Sequence, residues 1–409
     1  MQIMTVSNEK FNAFIKNHPN GDMSELTYWG ELKGINGWDW EKVAVGDGEN
    51  ITGATLLLFK KIPYLPASFC YSPRGLVVDW DDEETVRMLT EEAVRIAKEH
   101  KAIMVRIDPD VDEREEGIIE KISSYGFKHK GSELGLYTYT QPRFHMVTDL
   151  SGTMEEVKKS FSSRTRTDVN RSLDNGLIFE EGDRKDLAIF HEIMKETGAR
   201  DDFSIRGISY FERMYDTFSP TNDLKVFLVR LMPSLAKASL ERQLEAREAE
   251  IERLEARERD DKIEKQLENA NRSAERLRSR IEDMEKLHET HPEGKILSGA
   301  IFTQCGQKAY YLYGASSNAY REYMPNYFMQ YKMMEYAKSV GCTRYDFGGI
   351  SGKEGMPDDE APGLYEFKKR WGSVKRGRVG EFDYVLKPVL YRLMEWAIAT
   401  RKKRHAAIA

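Results

Sequence analysis

Apolar positions along this chain change period several times, and each change predicts an element. Residues 8 to 18 carry the spacing of a short helix. Apolar and aromatic runs bounded by Pro and Gly predict strands over 53–62 and 68–79. From Asp82 to His100 the period turns helical, with Val86, Leu89, Ala93, Val94 and Ala97 on one face. Ala102 to Asp108 reads as a buried strand ending in a carboxylate. The same order then returns: strands over 295–304 and 308–314, a helix from Met324 to Val340, and a strand from Cys342 to Asp346. This predicts two copies of one α/β unit. Asp108 and Asp346 fall where α/β sheets place ligands. A cap on the following turn would also place an aspartate there.

Two stretches between the copies differ in character. Met154 to Asp174 predicts one basic helix, carrying Lys158, Lys159, Arg164, Arg166 and Arg171 and stopped by Asn175-Gly176. It reads as a phosphate-contacting helix or as a solvated face, since Glu155, Glu156 and Asp168 dilute the charge. From about Leu235 to Leu287 the chain is nearly free of aromatics, Gly and Pro. Leu240, Leu244, Ile251 and Leu254 follow heptad-like spacing, as do Ile263, Leu267, Ala270, Ala274, Leu277, Ile281 and Met284. Arg257 to Asp261 interrupts that seam. An antiparallel coiled-coil hairpin is expected, each arm about 30 Å or longer. Pro233 and Pro292 bracket it, between strands expected over 223–231 and 295–304.

Candidate chemistry concentrates at Arg344 to Trp371. A strand enters a glycine turn, where Gly348, Gly349 and Gly352 allow positive φ and let a ligand or another backbone approach closely. The acidic loop from Lys353 to Pro362 is expected to be mobile and surface-lying. A short helix after Gly363 would set Tyr365, Phe367 and Trp371 around Lys368. Such a strand, loop and helix start can hold an anionic or carbonyl group. A plain connection with a snorkelling lysine fits the local pattern too. Near the start, Trp29 and Leu32 should pack inward, leaving Lys33 in a cleft or in solvent. Arg206 and Tyr210 are four apart, as on one helical face. They read as a diphosphate or carboxylate site, or as a surface arginine packed on a tyrosine. A strand near 379–386, a helix from Pro388 and a basic tail, Arg401 to His405, close the chain. The tail either touches anionic lipid or is a solvated terminus.

The 409 residues are enough for two or more domains, and the net charge of −6 excludes a protein that coats nucleic acid with a generally basic surface. Three scattered cysteines, Cys70, Cys305 and Cys342, have no metal spacing and fit a reducing cytoplasm. The polar N-terminus carries no secretion signal, and no apolar run is long enough to span a bilayer. There is no phosphate-binding G-x-x-x-x-G-K-[ST] loop, no H-E-x-x-H zinc motif and no G-x-S-x-G elbow. An enzyme built this way needs a substrate that arrives already activated.

Eight short motifs occur in order: Tyr28-Trp29-Gly-Glu-Leu-Lys33, Pro73-Arg74-Gly75, Ile107-Asp108-Pro109, Arg206 with Tyr210, Tyr310-Tyr-Leu-Tyr-Gly-Ala-Ser316, Met324-Pro-Asn-Tyr327, Asp346-Phe-Gly-Gly-Ile-Ser-Gly352 and Gly363-Leu-Tyr-Glu-Phe-Lys368. Together they resemble the Fem/MurM (FemABX) family of aminoacyl-tRNA-dependent peptidoglycan bridge aminoacyltransferases. The resemblance implies an α/β (α+β) fold of two GNAT-like acyltransferase subdomains with an inserted coiled-coil arm. One would span 1–143, completed by about 383–409; the other 144–382, with the hairpin at 235–290. It implies transfer of an amino acid from aminoacyl-tRNA to a stem-peptide amine of a lipid-linked peptidoglycan precursor. No cofactor is implied, the charged tRNA being a co-substrate, and DNA is not a partner. The setting would be cytoplasmic, with contact at the inner membrane surface. Lys33 and Arg206 would grip the diphosphate beside Tyr210, with Ser204, Tyr311, Tyr313 and Phe367 also contacting substrate. Asp108 would meet the stem peptide or attacking amine, and Lys368 the aminoacyl carbonyl. The rival reading is a non-catalytic adaptor that docks a partner through its arm.

Overall fold

The computed structural model describes residues 1–359 and 361–408, and the side chains of all of these except 398, 399 and 401–408. The basic tail named above therefore lies outside the described side chains. The first half runs β1 (Gln2–Ile3), α1 (Asn8–Asn17), α2 (Thr27–Ile35), β2 (Asp39–Gly46), β3 (Ile51–Lys61), β4 (Ser68–Ser72), β5 (Val77–Val78), α3 (Glu83–Glu99), β6 (Ala102–Ile107), α4 (Ile118–Ser124) and β7 (Lys128–His129). The second runs β8 (Phe144–Asp149), α5 (Met154–Ser160), α6 (Ser163–Leu173), β9 (Leu177–Gly182), α7 (Leu187–Asp201), α8 (Ile208–Phe218), β10 (Leu224–Leu231), α9 (Pro233–Glu255), α10 (Asp261–Thr290), β11 (Lys295–Cys305), β12 (Lys308–Ser316), α11 (Pro325–Ser339), β13 (Arg344–Ile350), α12 (Pro362–Lys369) and β14 (Val374–Gly377). Then come β15 (Phe382–Val385) and α13 (Pro388–Ile408).

The chain is a mixed α/β protein with two sheets of one plan. The first has the order β1-β2-β3-β4-β6-β15-β7, with β5 paired to β3; the second has β9-β10-β11-β12-β13-β8-β14. In each, an antiparallel pair (β3 with β4, β11 with β12) is followed by a helix and a parallel strand (β6, β13). The next strand in each sheet is remote in sequence. In the first sheet β15 lies between β6 and β7; in the second β8 lies between β13 and β14. Buried Arg106 on β6 clamps that join, bonding Asp383 on β15 at 2.7 and 2.8 Å and Glu381 at 3.1 Å.

Local chemistry explains most element ends. Asp82 caps α3 by accepting from the Thr85 N–H, and Glu83 and Glu84 occupy its first turn. The expected single basic helix is two helices. Phe161 is extended and buried, and Ser162 caps α6 by accepting from the Thr165 N–H. A serine able to start a new helix beside a core phenylalanine outweighs the helical spacing. The inserted hairpin, α9 and α10, joins adjacent strands β10 and β11. Arg278–Glu248 and Lys237–Glu285 pairs, both at 2.6 Å, set its antiparallel register. Leu254, Ile263, Leu267 and Ala270 form its outer seam. At the root, Leu240, Leu277, Met284 and Leu287 join the core of the second half. Among the described residues no helix is long and apolar enough to cross a membrane.

The halves meet through buried polar contacts. Tyr310 donates to Asp22 at 2.9 Å, and Lys308 on β12 bonds Asp110 at 2.6 Å. Arg378 also bonds Asp110, at 2.7 Å.

Candidate active site

One group of side chains gathers where α2 packs beside α8. Lys33, in the last turn of α2, sits 4.7 Å from the centre of the Trp29 ring. Arg206 stacks on Tyr210 at 5.2 Å, and the Tyr210 and Tyr313 hydroxyls are 3.5 Å apart. Among the described residues neither cation has a carboxylate partner. Burial, reinforced by the positive charge of Arg206, holds the Lys33 ammonium below the usual lysine range. Two cations without a carboxylate partner among the described residues are chemically suited to receive an anion. Arg206 is not on a helix, as its spacing to Tyr210 implied. It precedes the Gly207 cap of α8 and reaches its partner by stacking. Ser204 is exposed in the same segment and makes no hydrogen bond among the described residues.

Strict alternation would put Tyr311 and Tyr313 on one face of β12. The β11–β12 register shifts between Ile301 and Phe302, leaving Leu312 unpaired, so the two tyrosines face opposite ways. Tyr313 packs with Phe211 toward α8. Tyr311 packs against Phe347 in the core under α11, away from the cations.

A second group is buried between the halves. Asp108 follows β6; it accepts from Tyr71 at 3.0 Å and from the Arg74 backbone and guanidinium at 2.7 and 3.0 Å. Three of its four acceptor positions are thus filled. Burial pushes its pKa up to about 6, although Arg74 opposes that. Arg74 reaches 3.4 Å from His145 Nε2, and His145 Nδ1 lies 2.8 Å from Asp346. Burial pulls the His145 pKa down to about 4, so near neutrality the ring is uncharged and donates Nδ1–H to Asp346. Burial also penalises the Asp346 carboxylate, but His145, Arg378 and the Gly348 N–H outweigh it and hold its pKa down to about 2. Asp346 does not end its strand. β13 continues to Ile350 through a register shift after Asp346, and Gly348 takes φ +83° there.

That turn carries Lys368. Its side chain is 5% exposed, and Nζ donates to the Gly349 carbonyl at 2.7 Å. Burial lowers its pKa to about 8, with Asp346 opposing. At pH 7 it is an ammonium with N–H groups to spare. Phe367 and Trp371 pack around Phe347 beside it. Tyr365 instead stacks with exposed Lys369, at 5.4 Å, so it does not frame Lys368 as expected. At the following loop Ser351 bonds Asp359 at 2.6 Å, and Lys375 bonds Glu354 at 2.8 Å. A continuous path, Asp108–Arg74–His145–Asp346, thus leads to the lysine. Sequence reading found its two ends and Asp346, but not His145 or the role of Arg74. Both depend on pairings across 34 to 201 residues, which no local pattern reports. Among the described residues no cluster of His, Cys, Asp or Glu could hold a metal.

The model of the FemAB family matches residues 6–398. The chain belongs to the FemAB family. It is 41% identical over 397 residues to the lipid II:glycine glycyltransferase of Staphylococcus epidermidis, covering 97% of this chain and 95% of that one. The enzyme of the same name from Staphylococcus aureus is 42% identical over 402 residues, with the same coverage. The crystal structure of FemX superposes with a TM-score of 0.85 at 41% identity, covering 97% of this chain and all of that one. L-PGS from Bacillus licheniformis, at 14% identity and a TM-score of 0.50, shares the fold. The chain is an aminoacyltransferase of this family, belonging to peptidoglycan synthesis.

Proposed function

We propose that this FemAB-family chain transfers an amino acid from aminoacyl-tRNA to the stem-peptide amine of lipid II or a bridge-extended form. Each sheet serves as a GNAT-like acyltransferase unit, 1–143 with 383–409 and 144–382, the hairpin at 235–290 being an insertion. The stem-peptide amine attacks the ester carbonyl. A C–N bond forms, the ribosyl C–O bond breaks, and the proton lost by the amine is balanced by one gained at the ribose oxygen. An ester needs no nucleotide triphosphate, only orientation and charge stabilisation.

The observation carrying this reading is the Lys368 ammonium, nearly buried at a glycine turn and held protonated beside Asp346. In that surrounding its charge stabilises the developing oxyanion more than it would in water. Asp108, with one acceptor position unfilled, orients the attacking amine. Lys33 and Arg206 hold the precursor's diphosphate, with Tyr210 and Tyr313 beside them. The relatives' name makes glycine the first residue to test. The adaptor alternative is disfavoured, because those relatives are named as transferases.

The test mixes the chain with lipid II and separately charged glycyl-, alanyl- and seryl-tRNA, without ATP, and follows product mass. One extended precursor is expected. Binding of both substrates without product from any of the three would overturn the proposal.

A further inference from the structure

His145 stands where the two halves meet, and its two neighbours carry opposite charges. Phe144, Met146 and Thr148 are buried on one face of β8, so His145 falls on the other, where Arg74 of the first half meets it. Arg74 Nη2 lies 3.4 Å from Nε2, and the Asp346 oxygens lie 2.8 and 3.0 Å from Nδ1. A buried guanidinium and a buried carboxylate are thus held apart by the width of one ring. Each has its own partner on the far side: Arg74 bonds Asp108 at 3.0 Å, and Asp346 supports the charge of Lys368.

One form of the ring suits both neighbours. With its proton on Nδ1 and a lone pair on Nε2, it donates to Asp346 and accepts from Arg74. A second proton would set Nε2–H against Arg74. It would also add a cation near Arg378, whose Nη2 lies 3.8 Å from Asp346. Arg376, opposite His145 in the β14 register, leans instead toward Asp110 at 3.9 Å. Burial, with the Arg378 and Arg74 guanidiniums, keeps the ring uncharged against the pull of Asp346.

We infer that His145 is a positioning residue, a neutral spacer that keeps Arg74 with Asp108 and Asp346 with Lys368. Opposite charges attract strongly where water is excluded. Without the ring, Arg74 and Asp346 would close on each other, and each would be withdrawn from its own partner. Lys368 would lose the anion that opposes its burial, and Asp108 the cation that opposes its own. This role deepens the transferase reading and rests on it for the effect on turnover, while the pairing of charges stands apart from the reaction.

The first readout therefore needs no substrate. The full chain is labelled with acetic anhydride across pH, and mass spectrometry of the Lys368 peptide gives the ionisation midpoint of that amine. The wild type should titrate at about 8. His145→Ala should lower the midpoint by about half a unit or more. His145→Asn should stay close to the wild type, because its amide N–H takes the place of Nδ1–H and the gap stays filled. The alkaline limb of turnover with charged tRNA and lipid II should move in the same order. Equal midpoints in the three proteins overturn the inference, and so does a midpoint in His145→Asn that falls with that of His145→Ala. Moved midpoints with an unmoved limb keep the spacer and remove Lys368 from the chemistry, so the two fail separately. The wild-type chain labelled with 15N-histidine covers the case in which His145→Ala does not fold. One ring, absent from His145→Asn, should be uncharged and protonated on Nδ1 from pH 8 down to pH 5. An Nε2–H ring there, or one that titrates near the ordinary 6.5, overturns the inference.

Discussion

Asp108 and Asp346 occupy corresponding places in two sheets of one plan, yet their electrostatics are opposite. Each is associated with the parallel strand that follows the antiparallel pair and helix. Asp108 has one guanidinium and a phenol, and burial wins: its pKa rises to about 6. Asp346 has a histidine, a second guanidinium and a backbone N–H, and these win: its pKa falls to about 2. Two sheets of one plan thus hold the two aspartates, and a few neighbours set one carboxyl to titrate near neutrality and the other to stay ionised. The fixed anion lies beside Lys368 and supports its charge. Under the proposed function, the titrating one receives the attacking amine.

The largest effect should come from the lysine that Asp346 supports. Lys368→Met should lower turnover about 10²–10³-fold, or roughly 2.7–4 kcal/mol, while Lys369→Met changes it little. Equal activities would remove Lys368 from the chemistry. Since its pKa is lowered to about 8, turnover in the wild type should fall above about pH 8 as the ammonium is lost. Lys368→Arg should move that limb upward, and an unmoved limb would assign it to another group.

The two aspartates should differ in stability. Folding lowers the Asp346 pKa from 3.8, so its contribution is present at neutral pH and is lost as pH falls from about 4 toward 2. Folding raises the Asp108 pKa from 3.8, so the folded state binds the extra proton and stability falls as pH rises from about 4 to 6. At pH 7, Asp346→Asn should cost roughly 2–3 kcal/mol and Asp108→Asn clearly less. Asp108→Asn should also flatten the difference profile between pH 4 and 6. Denaturant melts across pH check both, and the reverse ranking would undo the comparison.

Lys33→Ala and Arg206→Ala should each weaken precursor binding by about 1.5–3 kcal/mol with the fold intact. Unchanged Michaelis constants for the precursor in both variants would exclude the grip.

The smallest effect on the fold concerns the other difference between the halves. β2 and β3 are joined by four residues, 47–50, where β10 and β11 are joined by the hairpin. Replacing 246–275 with a short Gly/Ser linker should leave the thermal midpoint nearly unchanged and raise the Michaelis constant for charged tRNA. Normal tRNA kinetics would show that the arm does not hold RNA. Removing Ser239 to Thr290 is a different experiment, since Leu240, Met284 and Leu287 belong to the core, and it should destabilise the second half.

Much of this was legible in the chain. The repeated order of strands and helix, and the hairpin seam and its turn, arise from local periodicity or composition, whereas for Lys368 the local pattern left an aromatic setting and a snorkelling lysine both open. Four features were not. The break at Phe161–Ser162 depends on which ring the core needs. The opposite facing of Tyr311 and Tyr313 depends on one bulge. The stacking of Tyr365 with Lys369 depends on side-chain choice at a helix end. His145 depends on a pairing 201 residues away. Each is decided by tertiary contacts, to which short-range spacing is blind.

The crossed strands bear on how the chain is made. Because β15 completes the first sheet, Arg106 waits 277 residues for Asp383. During synthesis the first half emerges with a gap between β6 and β7, and a buried arginine lacks its carboxylates until nearly the whole chain has left the ribosome. Such long sequence separation slows folding. It also makes completeness a condition of assembly: a chain cut short before residue 382 leaves both the gap and the unpaired charge, and exposes itself to proteolysis.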